Sequence, residues 1–387
     1  MSGSSHPRLT LVVLSFAIAG ATCETTSVRV TNRPPTPLVD DAGRVDFDGF
    51  AALIAAVEEQ RGLRFIQRPE LEILEPDDAR LPALRASERD LAPCPRSTAP
   101  VGAGKAATVA GACFPDAGLE RALCFAPPDL PALRRALGRL LDAQNYPRLV
   151  RTASRLRGDP GVAVRSMLAA SVQRESMVGI APPPSAPPFE LLDLPTIEVA
   201  PQAAPEGLCE SMALSFLAVQ SDPEAPFRTP PLSTKQLVST RAYRTGERPV
   251  ELVGRALPID GCTVASDESV GVARLLVERM AKGGALPTRE LAAWRGDRGI
   301  RFDCSDGRQP WIYVAELRDD ALAAPFAAKI APILPAAFVG SPELATLEKR
   351  VAIWSGLPAR QARAFATSLV AKERVRIDDP VARNGLD

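Results

Sequence analysis

This sequence predicts an α+β fold dominated by helices, and three observations carry that prediction. Long segments repeat apolar residues at helical spacing, as in "DFDGFAALIAAVEEQRG" and "DLPALRRALGRLLDAQNY". Shorter apolar runs face each other across turn residues, as in "GACFPDAGLERALCFA" and "GIRFDCSDGRQPWIYVAEL". The 387 residues show no short-period repeat, and their 38 prolines fall largely in connecting stretches, which marks segmentation.

Taken in order, residues 1–23 have the pattern of an export signal. Arg8 precedes an apolar stretch, Leu9 to Ala19, that is too short to span a bilayer. Two processing readings stay open. Cleavage after Ala21 would release a chain beginning at Thr22, and lipidation of Cys23 would anchor it as a bacterial lipoprotein. Cysteine usage favours the anchor. Seven cysteines are present, and setting Cys23 aside leaves Cys94, Cys113, Cys124, Cys209, Cys262 and Cys304, an even set suited to three disulfides in an oxidising compartment.

Residues 24–43 are polar and Pro-containing, as expected of a tether. The first part of the body, 44–178, opens with a helix capped by Asp48, with Phe50, Leu53, Ile54 and Val57 on its apolar face and Arg61-Gly62 at its end. Leu71 to Leu74 reads as a strand. Cys113 and Cys124 flank the turn residues Pro115, Asp116 and Gly118, so they are the best-placed pair to close a disulfide. A helix over Asp129–Tyr146 and another over Gly161–Met177 follow.

Residues 179–207 read as a Pro-rich linker or surface loop. The C-terminal α+β part, 208–387, is expected to pack on the first. Its predicted elements are helices near Leu208–Val219 and Asp267–Met280, a strand–turn–strand from Gly299, and a helix over Asp320–Ile330. A strand, turn and closing helix from Arg350 complete it.

Charge bounds the partners. Acidic and basic residues balance at 46 each, so no field favours nucleic acid, and membrane contact reduces to the N-terminal lipid. The single histidine is His6, inside the export signal, so the mature chain has none. That excludes His-ligated zinc, Ser-His-Asp and Cys-His nucleophile systems, and imidazole acid–base catalysis. No C-x-x-C pair exists to hold zinc by thiolates alone. No catalytic residue, metal or cofactor is therefore assigned.

Five segments, in order, resemble one bacterial family of exported, often lipid-anchored zinc-metallopeptidase-like proteins. They are "VEEQRGLRFIQRP", "ACFPDAGLERALCFA", "PPLSTKQLVSTRAYRTGERP", "SDESVGVARLL" and "WRGDRGIRF…WIYVAELRDDALAAPF". The third is the most specific. The resemblance implies a zincin-type body whose helix after the hairpin carries His-Glu-x-x-His. Two histidines one turn apart would bind zinc there, and the glutamate would activate water. Matching Gln144-Asn145-Tyr146 to the end of that motif puts Arg135 and Arg139 at the histidine positions and Ala136 at the glutamate. The downstream acidic ligand falls near Ala169, and a later His-Pro is replaced by Ser239-Thr240. Such a chain would be a pseudopeptidase of the cell envelope that binds peptides or partner proteins, with Arg135, Arg139 and Asn145 bordering the degenerate cleft. The alternatives are a hydrolase using carboxylates or a serine, and a purely structural lipoprotein.

Plainer readings stand beside the sharper ones. On a helical wheel Leu133, Leu137, Leu140 and Leu141 form an apolar stripe opposite Arg135, Arg139 and Asp142, which then read as a solvated face. "VGAGKAAT" lacks the leading glycine of a phosphate loop, because Ala99 stands there. "DCSDG" reads as a hairpin turn and Asp319-Asp320 as a helix cap. Trp294, Trp311 and Tyr313 read as core, and Ser233-Thr234 as residues that order a loop.

Overall fold

The computed structural model describes most of residues 46–90, 111–176 and 208–374, together with Leu38, Leu192 and Glu198–Val199. The chain divides into Met1–Pro37 and a compact unit, Leu38–Asp387, that holds everything below. The export signal, Cys23, Cys94 and "VGAGKAAT" lie outside the described residues. Within the span expected to be a tether, Leu38 packs against the core of the body, and its carbonyl accepts the Asp46 amide at 2.8 Å.

The fold is α+β. Its first half comprises α1 (Phe47–Arg61), β1 (Glu70–Leu74), α2 (Leu81–Asp90), β2 (Cys113–Pro115), β3 (Arg121–Phe125), α3 (Leu130–Asn145), α4 (Pro147–Arg155) and α5 (Gly158–Ser176). Asp46, rather than the expected Asp48, caps α1, accepting the Gly49 amide at 3.1 Å. Asp48 lies inside the first turn, where a carboxylate meets the positive end of the helix dipole. Gly62, at φ 64°, closes α1 in the left-handed conformation that favours glycine.

The three-stranded sheet runs β1-β3-β2, with β1 parallel and β2 antiparallel to the central strand. Asp116 organises the β2–β3 turn by accepting the amides of Glu120 (2.8 Å) and Arg121 (2.9 Å). Cys113 and Cys124 are directly opposite across the hairpin and joined by a disulfide. Behind this sheet the α3 leucines Leu133, Leu137, Leu140 and Leu141 interlock with Phe50, Leu53, Ile54 and Val57 of α1. The helix expected through Tyr146 stops at Asn145, because Pro147 has no amide to continue it and starts α4 instead.

The middle of the chain contributes β4 (Glu198–Val199), α6 (Leu208–Ala218), α7 (Ala225–Arg228), α8 (Thr234–Val238) and α9 (Thr240–Arg244). The expected linker 179–207 therefore supplies a short strand, and Leu192 is buried in the core. The rest of that span lies outside the described residues.

The last part holds β5 (Val250–Val253), β6 (Cys262–Glu268), α10 (Gly271–Lys282), β7 (Gly284–Ala285), α11 (Thr288–Ala293), β8 (Trp294–Cys304), β9 (Trp311–Leu317), α12 (Ala323–Ile330), β10 (Glu343–Leu347), β11 (Arg350–Ser355), α13 (Ala359–Ser368) and β12 (Val370–Glu373). Five strands form an antiparallel sheet in the order β10-β11-β9-β8-β6; β4 pairs with β7, and β12 with β5. Trp311, Tyr313 and Ala315 of β9 enter a core with α10 and α12, while Ile312 and Val314 enter another with α13 and β5. Burial on both faces explains why "WIYVAEL" reads as a nearly continuous apolar run.

One helix boundary needs correction. Asp267 and Glu268, expected to open a helix, end β6, and α10 begins at Gly271. Asp267 instead holds Arg298 of β8 through two hydrogen bonds, 2.8 and 2.7 Å. Cys262 and Cys304 face each other on β6 and β8 and form a second disulfide. Cys209 is disulfide-bonded as well, with a partner outside the described residues. Among the described residues no helix is long and apolar enough to cross a membrane.

Candidate functional site

Beside α3 lies a pocket of about 950 Å³, bounded by α2, the β2–β3 hairpin, α3, α4 and α5. Its apolar wall is made by Leu84, Leu119, Leu123, Val150, Leu168 and Val172. Five arginines line it, Arg80, Arg121, Arg139, Arg151 and Arg165, with the carboxylates Asp116 and Asp142, and Arg80 is paired in a fork with Asp78 (3.0 and 2.9 Å). Arg80 and Arg121 share Glu72, at 2.8 and 2.9 Å, and that pairing holds the Glu72 carboxyl below its ordinary range. Arg165 is fixed by the carbonyls of Ala153 (3.2 Å) and Leu156 (2.9 Å), where α4 ends. Arg151 is exposed on α4.

Asp142 lines the pocket and is buried. It pairs with Arg61 of α1 and accepts the Ser171 hydroxyl at 2.8 Å, so the bland reading of this face as solvent-exposed holds for Arg135 alone. The Arg61 guanidinium also lies 4.5 Å from the centre of the Phe227 ring, which stacks on Tyr146. Close by, both oxygens of Glu224 are buried without a hydrogen-bond partner, and burial raises its pKa.

The sequence candidates separate. Arg139 lines the pocket, as does Ala169, the position matched to an acidic ligand. Arg135 is exposed on α3 and does not line it. Asn145 does not line this pocket. Its side-chain amide bonds the carbonyls of Arg64 (3.0 Å) and Leu141 (2.9 Å), tying the segment after α1 to the end of α3. Ala136 is packed into the α1–α3 core, so nothing acid–base stands at the glutamate position. Among the described residues no group of three or more His, Cys, Asp or Glu side chains is placed to hold a metal.

The most specific sequence segment, Pro230–Pro249, has a different role. Ser233, Thr234, Lys235, Gln236, Ser239 and Thr240 are all buried. Thr234 donates its hydroxyl to Asp159 at the start of α5 and accepts the Ala273 amide of α10 at 2.9 Å. Lys235 donates to Glu247 (2.6 Å) and to the carbonyls of Ala292 (2.6 Å) and Trp294 (2.8 Å). Burial lowers the Lys235 pKa to about 8.

Asp297 completes this hub and was missed as such. Its carboxylate accepts Ser269 (2.5 Å), the Val270 and Gly271 amides (3.0 Å each), Trp294 (3.2 Å) and Tyr313 (3.0 Å). Burial pushes its pKa up, the Ser269 hydrogen bond opposes the rise, and Asp159 adds to it. Arg374 joins Asp159 (2.9 Å), Leu232 (2.9 Å) and Ser269 (3.3 Å). A second pocket, about 730 Å³, opens over this network, but its Asp297 and Asp267 carboxylates are committed to capping and to Arg298. No protein-family model matches the chain, and neither does any curated protein or solved structure.

Proposed function

We propose that this chain is an exported bacterial envelope protein of zincin-type metallopeptidase ancestry, whose cleft beside α3 binds peptide segments of partner proteins without zinc chemistry. One observation carries the reading. Arg139 on α3 and Ala169 on α5, both matched by the resemblance to zinc-ligand positions, line the same pocket. A guanidinium stays protonated at physiological pH and offers no lone pair to a cation, whereas it suits carboxylates and carbonyl oxygens. The arginine-rich wall thus exchanges metal binding for anion and carbonyl recognition.

The disulfides support passage into an oxidising compartment. Cys23 would hold the mature chain to the membrane by its lipid, or cleavage before Thr22 would free it.

Metal content by plasma mass spectrometry, combined with peptide-array binding, tests the reading. The expected result is no zinc at one ion per chain, together with peptide binding that survives a chelator. Stoichiometric zinc with chelator-sensitive proteolysis would overturn it.

A further inference from the structure

Charge is balanced over the whole chain, yet not along α4. From Pro147 to Arg157 the sequence "PRLVRTASRLR" carries four arginines and no carboxylate. Arg148, Arg151 and Arg155 recur at helical spacing on the side opposite the buried Leu149 and Ala153, and Arg157 follows the helix end. All four are exposed, and none has a hydrogen-bond or ion-pair partner among the described residues. Carboxylates that share pocket walls with α4 are engaged elsewhere: Asp142 with Arg61, Asp267 with Arg298, Glu268 with Arg274 and Glu373 with Arg248. Asp116 accepts two amides of its own turn, and Glu251 acts on Arg298.

A second feature lies beside the start of α4. Gln144, near the end of α3, bonds both the amide and the carbonyl of Gln67 (3.0 Å each), and Asn145 bonds the Arg64 carbonyl, so the loop after α1 is tied to the α3–α4 junction. That loop presents Ile66, 62 % exposed, between Arg64 and Arg68. Glu58 pairs with Arg64 and offsets one of the two charges. A soluble polyanion gains nothing from a protruding isoleucine. A bilayer interface takes an apolar side chain at the depth of its headgroups and cations beside its phosphates.

We infer that α4 and the Ile66 loop rest on a bilayer containing anionic phospholipid, with the arginines among the headgroup phosphates and Ile66 at the boundary with the acyl chains. This surface goes beyond the peptide pocket and does not depend on it. A lipid on Cys23 would add to it. Leu38 follows Cys23 by 15 residues, a span of at most about 50 Å, so the basic face would meet the surface at high effective concentration.

Vesicle cosedimentation tests this on the mature chain carrying Cys23→Ser, so that no acyl chain contributes. The probes are vesicles of phosphatidylcholine alone and vesicles with about one-third phosphatidylglycerol, with heparin and a DNA duplex as soluble polyanions. The expected result is binding at least about tenfold tighter to the anionic vesicles, weakening as salt rises. The double variant Arg148→Glu, Arg155→Glu is expected to lower that binding at least about tenfold with the melting temperature unchanged, and Ile66→Ser to lower it about fivefold. None of these residues lines the pocket beside α3, so peptide binding is expected to survive both changes. Equal binding to the two vesicles, or undiminished binding by the double arginine variant, overturns the proposal. Capture of heparin or DNA in place of anionic vesicles overturns it as well, and marks α4 as a site for soluble polyanions.

Discussion

The pocket beside α3 and the hub around Asp159, Thr234 and Asp297 are both rich in charge, yet they treat it in opposite ways. In the hub every carboxylate is met. Asp297 accepts five donors, and Asp159 takes Thr234 by amide and hydroxyl and Arg374 by guanidinium. In the pocket, charged side chains from five elements border an open volume instead. Buried polar groups that are fully partnered specify how elements dock, while charged groups around a concave volume stay beside solvent. The segment most distinctive in sequence is thus architectural, and the pocket wall is assembled from residues that look ordinary.

Breaking the hub gives the largest expected effect. Asp297→Asn replaces one acceptor oxygen by a donor that faces the donors of the hub, and leaves a buried network half satisfied. The expected cost is about 3–5 kcal/mol by urea denaturation, with no change in peptide affinity per folded molecule. A cost below about 1 kcal/mol would mean the hub does not organise the fold.

Lys235 sharpens the contrast through pH. Its folded pKa, about 8, lies below the unfolded value of 10.5, so between these the unfolded chain binds more protons than the native one. Its burial penalty is fully present below about pH 8 and is relieved as pH rises towards 10.5. The wild type is expected to gain stability over that window relative to Lys235→Met, whose profile lacks the titration. Parallel profiles would contradict this.

The smallest effect lies between the regions. Glu224 is a buried carboxylate with neither oxygen partnered, near Asp142. Its folded pKa is raised, so its ionised form costs stability above that pKa and the cost disappears as protonation proceeds at lower pH. Glu224→Gln is expected to stabilise the protein at neutral pH by about 1 kcal/mol, and by less in acid.

Much of the architecture was legible because burial leaves a period. The α1 and α3 stripes and the β8–β9 and β2–β3 hairpins follow from spacing and turn chemistry, and the Cys113–Cys124 bond follows from the hairpin. The missed elements lack that signal. β6 reads "CTVASDE", an edge strand with a largely solvent-exposed sequence, so its last residues were absorbed into the following helix. α2 is short and polar, and β12 pairs with β5 from far along the chain.

For the site, Arg139 was found through the resemblance. Arg80, Arg121 and Arg165 were not, because nothing local marks residues that meet only after α2, β3 and α5 pack together. Arg151 and Arg155, one helical turn apart in "PRLVRTASR", were the visible hint of a basic face on α4.

The most direct test of the central claim is where a peptide sits. A benzophenone-bearing peptide, photo-crosslinked to the mature chain and mapped by mass spectrometry, should leave adducts at the pocket wall, on Val150, Leu168 or the β2–β3 hairpin. Adducts confined to the region around Ser269 and Asp297, or scattered over the surface, would contradict the account.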